Sequence, residues 1–89
     1  MKRSYLEVTF RKGRPLAAYL YLPRRDDDRA ARTEKVGADF NIDFAADGRP
    51  IGVEILSPQS ATLAAVNALL GRLQVAPLEA ADLAPLSAA

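Results

Sequence analysis

The chain contains no cysteine and no histidine among its 89 residues. Without cysteine there is no disulfide, and without either residue type most transition-metal sites are excluded. Nucleophilic catalysis of the Ser–His kind is excluded as well, because no imidazole is present to activate any of the four serines. We therefore expect a non-enzymatic protein that binds no cofactor.

Long apolar runs are also missing. No stretch approaches the roughly 20 apolar residues of a membrane-spanning helix, and the opening residues MKRSYL lack the apolar block of a signal peptide. These absences predict a cytoplasmic protein with no membrane partner. A domain of this length buries only about 60–65% of its unfolded surface. Since disulfides and most metals are excluded as sources of stability, the sequence favours a homodimer.

The charges nearly balance, with 12 Lys or Arg against 11 Asp or Glu and a net charge of +1. This balance lacks the basic character expected of a nucleic-acid-binding domain and argues against that function. Basic residues nevertheless concentrate in two predicted loops, which contain Arg11, Lys12 and Arg14 in one and Arg24 and Arg25 in the other. Nucleic-acid binding through loops 11–14 and 24–25 is therefore the alternative function, and a strand order that separates the two loops would weaken it.

The most informative stretch is FNIDFAADGRPIGVEIL, residues 40–56. Two runs with apolar residues at every second position flank Asp47-Gly48, which is a strong hairpin signal. A two-residue turn at that point predicts three apolar cross-strand pairs: Phe44 with Ile51, Ile42 with Val53, and Phe40 with Ile55. The hairpin then has one apolar and one polar face.

A second hairpin is predicted from the alternation in residues 5–10 and 16–22. A five-residue loop over 11–15 would pair Val8 with Ala18, and Phe10 with Leu16, on the core side. The opposite face carries three tyrosines, Tyr5, Tyr19 and Tyr21. Because so aromatic a face rarely meets only water, we expect another subunit to cover it, which makes these tyrosines the predicted interface.

Two acidic features could bind a metal ion. Asp43 and Glu54 lie close together on the polar face of the central hairpin, and Asp26, Asp27 and Asp28 form an acidic run. The run lacks the alternation and glycine of a calcium loop. We interpret both features as solvated or ion-paired surface, and a carboxylate metal enzyme is a remote third alternative.

Residues 23–31, PRRDDDRAA, predict a mobile, solvated loop, and residues 32–36 predict a short strand. After residue 56 the apolar period changes from two to about 3.6. Ser57 is the predicted N-cap and Pro58 the first residue of a helix that ends near Leu73. Its apolar stripe includes Val66 and Leu70.

These patterns predict an α+β fold, with an antiparallel sheet of four to five strands and a C-terminal helix packed on one face. Residues 1–75 would form a single domain. Residues 76–89 would form a tail that docks on the domain or on a partner subunit. The homodimer, with its tyrosine face or this tail as the interface, would act as a protein-interaction module.

An ordered set of sequence elements resembles the DUF2283 family of small bacterial domains. It comprises Leu16–Leu22, the segment Thr33–Val36, Asn41–Phe44, the Asp47-Gly48 turn and Gly52–Leu56. The basic loop at residues 11–15 departs from the acidic start that is usual in the family. The resemblance implies a small antiparallel sheet followed by a helix, and no established activity.

Overall fold

The computed structural model of the chain describes residues 3–87, without the side chain of Ser87. The elements are β1 (Tyr5–Arg11), β2 (Arg14–Tyr21), β3 (Arg32–Val36), β4 (Phe40–Phe44), β5 (Pro50–Ile55), a 3-10 turn (Pro58–Ser60), α1 (Leu63–Arg72) and α2 (Ala80–Ser87). The five strands form one antiparallel sheet in the order β1-β2-β5-β4-β3. The predicted α+β class is confirmed.

One face of the sheet is covered by both helices. The inward side chains of the strands share one apolar cluster with Val66 and Leu70 of α1 and with Leu83 and Leu86 of α2. The predicted stripe of α1 is therefore part of the core, with Val66 1% and Leu70 0% exposed. The strand members of this cluster are Ala18, Leu20, Phe40, Ile42, Phe44, Val53 and Ile55.

The segment after α1 is held to the domain by a polar contact. The side-chain amide of Asn67 donates from Nδ2 to the Leu78 carbonyl at 2.9 Å, and its Oδ1 accepts from the Leu78 amide at 2.8 Å. The side chain of Asn67 thus pairs with the backbone of Leu78 as a neighbouring strand would. The side chain of Leu78 is buried in the core cluster. Of the segment 76–89, residues 88 and 89 lie outside the described part of the chain.

The central hairpin has the predicted register over most of its length. Ile42 pairs with Val53 and Phe40 with Ile55, as expected, but Phe44 lies opposite Pro50 rather than Ile51. The turn is longer than predicted: Gly48 N–H donates to the Ala45 carbonyl and Ala45 N–H to the Arg49 carbonyl, both at 2.9 Å. Three residues, with Gly48 at φ 92°, therefore form the tip and shift the pairing by one at its end.

The predicted five-residue loop of the first hairpin is wrong. Lys12 and Gly13 form a two-residue turn with φ 53° and 77°, both positive as a type I′ turn requires. Arg11 and Arg14 consequently belong to strands and lie opposite each other. The prediction failed because lysine seldom adopts positive φ, so the sequence offered no signal for a turn at this point.

The same error displaced two residues that were predicted to lie in the core. Val8 pairs with Ala18 as expected, but the register shifts after Thr9, and Phe10 lies opposite Pro15 instead of Leu16. Phe10 is 47% and Leu16 54% exposed. The extra residue in β2 leaves Leu16 without a partner across the hairpin, and both apolar side chains end at the surface.

The start of the main helix also differs from the prediction. Ser57 and Pro58 begin only a three-residue 3-10 turn, and among the described residues none donates a capping hydrogen bond to the Ser57 side chain. The helix α1 begins five residues later, where Thr62 Oγ1 accepts from Ala65 N–H at 3.1 Å. Thr62 is the N-cap because its extended backbone, φ −90° and ψ 157°, aims the hydroxyl at the first turn.

Segment 23–31 is not solvated throughout. The carboxylate of Asp28 is only 8% exposed and receives two hydrogen bonds from the guanidinium of Arg49, at 2.7 and 3.0 Å. Arg49 also donates from Nε to Asp47 at 2.7 Å, so this guanidinium ties the segment to the tip of the central hairpin. Hydrogen bonds from Arg49 hold the pKa of Asp28 at about 2, so it stays ionised and paired at neutral pH.

Candidate functional site: the open face of the sheet

The second face of the sheet is the candidate site, because both helices pack on the other side. We call it the open face. The cross-strand registers assign to it the polar and aromatic residues that alternate with the core positions: Tyr5, Glu7 and Thr9 of β1, Tyr19 and Tyr21 of β2, Thr33 and Lys35 of β3, Asn41 and Asp43 of β4, and Gly52 and Glu54 of β5.

The three predicted tyrosines form one cluster on this face. Tyr5 lies directly opposite Tyr21 in the first hairpin, and their rings stack with centroids 4.6 Å apart and an interplanar angle of 13°. Tyr19, two residues before Tyr21 on the same strand, meets it edge to face at 4.7 Å. Such pairs add roughly 0.5–1.5 kcal/mol each beyond the area they bury. The outermost ring, Tyr5, is 50% exposed.

Tyr19 also joins the cluster to the far side of the sheet. Its hydroxyl donates to Asp43 Oδ2 at 2.7 Å, and the other oxygen of that carboxylate accepts from Thr33 Oγ1 at 2.6 Å. The ring reaches Asp43 by crossing β5 at Gly52, where a Cβ atom would lie 1.8 Å from the Tyr19 hydroxyl oxygen. Glycine is therefore required there, and the contacts extend over four strands.

Two hydroxyls of the cluster, those of Tyr19 and Tyr21, are held in their protonated form. Burial, together with the hydrogen bond to the Asp43 carboxylate, raises the pKa of Tyr19 from 10.0 to about 12. The pKa of Tyr21 is raised as well, chiefly by the negative charge of Glu7. These hydroxyls therefore remain neutral hydrogen-bond donors far above neutral pH.

The two carboxylates singled out in the sequence each have a structural partner. Asp43 accepts the two hydroxyl bonds described above, and Glu54 Oε1 accepts from Asn41 Nδ2 at 3.0 Å. Within residues 3–87, no group of three or more His, Cys, Asp or Glu side chains could hold a metal ion. The carboxylates of the open face thus serve as acceptors that fix neighbouring side chains.

The two basic segments lie at opposite ends of the first hairpin. Arg11, Lys12 and Arg14 surround its tip and are exposed, whereas Arg24 and Arg25 follow the other end of β2. An eight-residue strand such as β2 separates its ends by about 23 Å. The structure therefore does not bring the five predicted nucleic-acid contacts together.

Arg24 belongs to the tyrosine cluster rather than to a basic patch. Its guanidinium carbon lies 5.2 Å from the centroid of the Tyr21 ring, and its Nε donates to the Ile51 carbonyl at 3.2 Å. Arg25 is exposed, and its backbone amide donates to Asp28 Oδ2 at 2.9 Å. Arg24 thus packs along the edge of the cluster, close to the end of β2.

Sequence reasoning found the tyrosines but missed Gly52 and the partners of Tyr19. A single glycine inside an alternating strand signals a close approach by another group, and Gly52 has that position in β5. The signal does not identify the approaching residue, because Tyr19 is far away in the sequence and becomes a neighbour only through the pairing of β2 with β5.

Comparison with known proteins gives one match to a family model and no activity. Residues 17–57, which are 41 of the 89 residues, match the family model of DUF2283, described as a protein of unknown function. This match confirms the resemblance noted in the sequence, and it extends from β2 to just beyond β5. No similar curated protein and no similar solved structure was found. Within residues 3–87, no helix is long and apolar enough to cross a membrane.

Proposed function

We propose that the chain is a cytoplasmic, non-enzymatic protein-interaction module that acts as a homodimer. The observation that carries this proposal is the tyrosine cluster, which lies on the sheet face opposite α1 and α2 and leaves Tyr5 half exposed. Exposed aromatic residues of this kind are enriched in protein interfaces, where they supply large contact areas.

The geometry of the cluster favours binding in two ways. Tyr21 is held between Tyr5 and Tyr19, so little side-chain freedom remains to be lost when a partner packs on the rings. The Tyr19 hydroxyl and the Asp43 carboxylate beside the rings are already paired within the chain, since Asp43 accepts from Tyr19 and Thr33. A partner therefore does not have to supply those hydrogen bonds.

Light scattering during size-exclusion chromatography tests the homodimer. Samples from about 1 μM to about 1 mM cover dissociation constants equivalent to about −8 to −4 kcal/mol. We expect the molar mass to approach that of two chains as concentration rises. Tyr5→Ser removes the exposed ring and should shift this transition to higher concentration, whereas Leu56→Ser, an exposed leucine beyond β5, is the matched control. A monomer throughout the range would refute the proposal.

Nucleic-acid binding remains the competing candidate because of one feature, the hairpin tip. Arg11, Lys12 and Arg14 are exposed there beside Phe10, which is itself 47% exposed, and cations next to an aromatic ring are typical of single-strand binding. Retention of single-stranded DNA or RNA that falls steeply with salt would favour this candidate. An Arg11→Ser/Arg14→Ser variant should then lose retention, and Arg24→Ser should not.

A further inference from the structure

The sheet has two edge strands, and they differ in how they are protected. An edge strand offers unpaired backbone groups, which proteins commonly shield with charged side chains. Three of the five residues of β3 are charged, Arg32, Glu34 and Lys35. In β1, only Glu7 and Arg11 of seven residues are charged. It also contains Tyr5 and Phe10, two of the four large apolar or aromatic side chains that are exposed within the described residues.

We propose that two copies of the chain join through β1, which pairs antiparallel with the β1 of its partner in a register that places Val8 opposite its own copy. The two five-stranded sheets would then form one sheet of ten strands across a two-fold axis. This inference rests on the proposed homodimer. It deepens that proposal by placing the contact along the β1 edge of the tyrosine cluster, where Tyr5 lies, and by specifying the register.

The register follows from the side chains of β1. With Val8 on the axis, all seven residues of the strand are paired. Leu6 then lies opposite the partner's Phe10, which covers an exposed ring with an apolar neighbour. Tyr5 lies opposite the partner's Arg11, a cation above a ring that is already stacked on Tyr21.

Charge complementarity supports the same register. Glu7 lies opposite the partner's Thr9 and diagonal to the partner's Arg11, within reach of an attractive contact. The contact with Glu7 is most favourable for Arg11, because Arg11 lies opposite Arg14 within its own chain. Like charges across a strand pair are destabilising.

The neighbouring registers are less favourable. A register centred on Glu7 would place this carboxylate against its own copy and Arg3 against the partner's Arg11. A register centred on Thr9 would pair only residues 7–11 and would place Tyr5 opposite Gly13 in the turn. Odd displacements are excluded because opposite residues of a sheet must share a face.

The other edge strand fails the same test. Self-pairing of β3 over its full length would centre on Glu34 and place two carboxylates against each other. Pairing of β1 with the partner's β3 would not close after two copies and would give an open chain of subunits. A closed dimer therefore favours β1 with β1.

Single-cysteine variants distinguish the registers, because the chain has no cysteine of its own. The three variants are Glu7→Cys, Val8→Cys and Thr9→Cys. In each variant, the thiol lies opposite its own copy only in the register that is centred on that residue. Opposite Cα atoms in an antiparallel pair are about 4.5–5.5 Å apart, within the range of about 4.4–6.8 Å that a disulfide spans. Residues displaced by two positions lie beyond it.

Each variant would be oxidised with copper phenanthroline at a concentration where the unmodified protein is dimeric. We expect Val8→Cys to form the disulfide-linked dimer about tenfold faster than the other two, since only its thiols face each other at bonding distance. Random collision would favour the opposite order, because Thr9 is exposed and Val8 partly buried. Faster cross-linking of Glu7→Cys or Thr9→Cys would overturn the proposed register.

Charge variants at Thr9 give an independent readout if Val8→Cys fails to fold. Thr9→Lys places an ammonium opposite the partner's Glu7 and should lower the dimer dissociation constant severalfold, and Thr9→Glu should raise it. In the Thr9-centred register both variants would weaken the dimer, which would overturn the proposal.

The outcomes separate this proposal from the homodimer itself. A dimer in light scattering whose three cysteine variants all fail to cross-link would refute pairing through β1 and leave the homodimer standing. A molar mass that keeps growing with concentration would also refute it, since it indicates an open chain. A monomer at every concentration would refute both.

Discussion

The two faces of the sheet are stabilised by different kinds of contact. On the covered face, side chains such as Leu20, Ile55 and Leu70 are 0% exposed, and their contribution comes from the area removed from water. On the open face, Tyr5 is half exposed, and the side chains are fixed by ring contacts and by the hydroxyl bonds to Asp43.

This difference predicts how each face responds to substitution. Stabilisation by burial of apolar surface is non-directional, and the loss of stability on truncation increases with the volume removed. Contacts of the open face depend on the positions of particular atoms, so a substitution there should act through geometry. Gly52 is the critical position because the Tyr19 ring crosses β5 there. Individual polar contacts near water are worth less than a buried leucine, which sets the order of the effects below.

The largest effect should come from Leu70→Ala on the covered face. The leucine is fully buried in the cluster shared by sheet and helices, so truncation loses transfer free energy and leaves a cavity. We expect the free energy of unfolding to fall by about 2–5 kcal/mol, measured by urea denaturation. The control, Leu56→Ala at a leucine 39% exposed, should cost much less. Equal losses would mean that burial does not distinguish the two positions.

On the open face, the most damaging single change should be Gly52→Ala. The new Cβ occupies the space of the Tyr19 ring, which must move and give up its bond to Asp43. We expect a loss of about 1–3 kcal/mol in the free energy of unfolding, as for other overpacked sites.

A double-mutant cycle tests whether Tyr19 is the cause. In a Tyr19→Ala background the ring is absent, so Gly52→Ala should cost little, and the coupling free energy should be similar to the loss seen in the single variant. A cost that is unchanged in that background would show that the backbone at residue 52, rather than the ring above it, excludes a side chain.

A smaller effect should follow from Asn67→Ala, which tests the side-chain contact between the covered-face helix α1 and Leu78 in the next segment. The change leaves the Leu78 amide and carbonyl without the partners that Asn67 supplies. We expect a loss of about 1–2 kcal/mol and faster amide exchange at Leu78. Arg72→Ala, an exposed position on the same helix, is the control. A loss no larger than that of the control would mean that solvent replaces the asparagine at little cost.

The covered face was largely predictable from the sequence, whereas the contacts of the open face were not. Alternation assigned Ile42 and Val53 to the core, and helical spacing assigned Val66 and Leu70, because both signals are local. The contact from Tyr19 to Asp43 forms only because β2 and β5 are neighbours in the sheet. No local sequence pattern predicts this strand order.

The lengths of the two hairpin turns were also not predictable from the sequence. Asp-Gly predicted a turn at the right place but not its length, and Lys12-Gly13 gave no strong signal because lysine rarely has positive φ. The wrong turn lengths shifted the register by one residue next to each turn, which exchanged Ile51 for Pro50 and Leu16 for Pro15 in the pairing. The pair of Asp28 and Arg49 was missed for the same reason as Tyr19, since its partners are 21 residues apart.

The smallest effect should be a partial change in the pKa of Tyr19, which reports on the open face alone. Its pKa is about 12 in the folded chain against an ordinary 10.0, so the folded state binds this proton more tightly. The associated stability is present in full below about pH 10 and is lost as the pH rises through about 12.

Asp43→Asn separates the two causes of this shift. The amide oxygen still accepts the hydroxyl bond but carries no charge, whereas burial, the largest cause, stays. We therefore expect the pKa of Tyr19 to fall only part of the way toward its ordinary value, followed by tyrosinate absorbance, with Tyr19→Phe to assign the transition. A complete return to 10 would mean that the carboxylate rather than burial dominates, and that the open face is wetter than its geometry indicates.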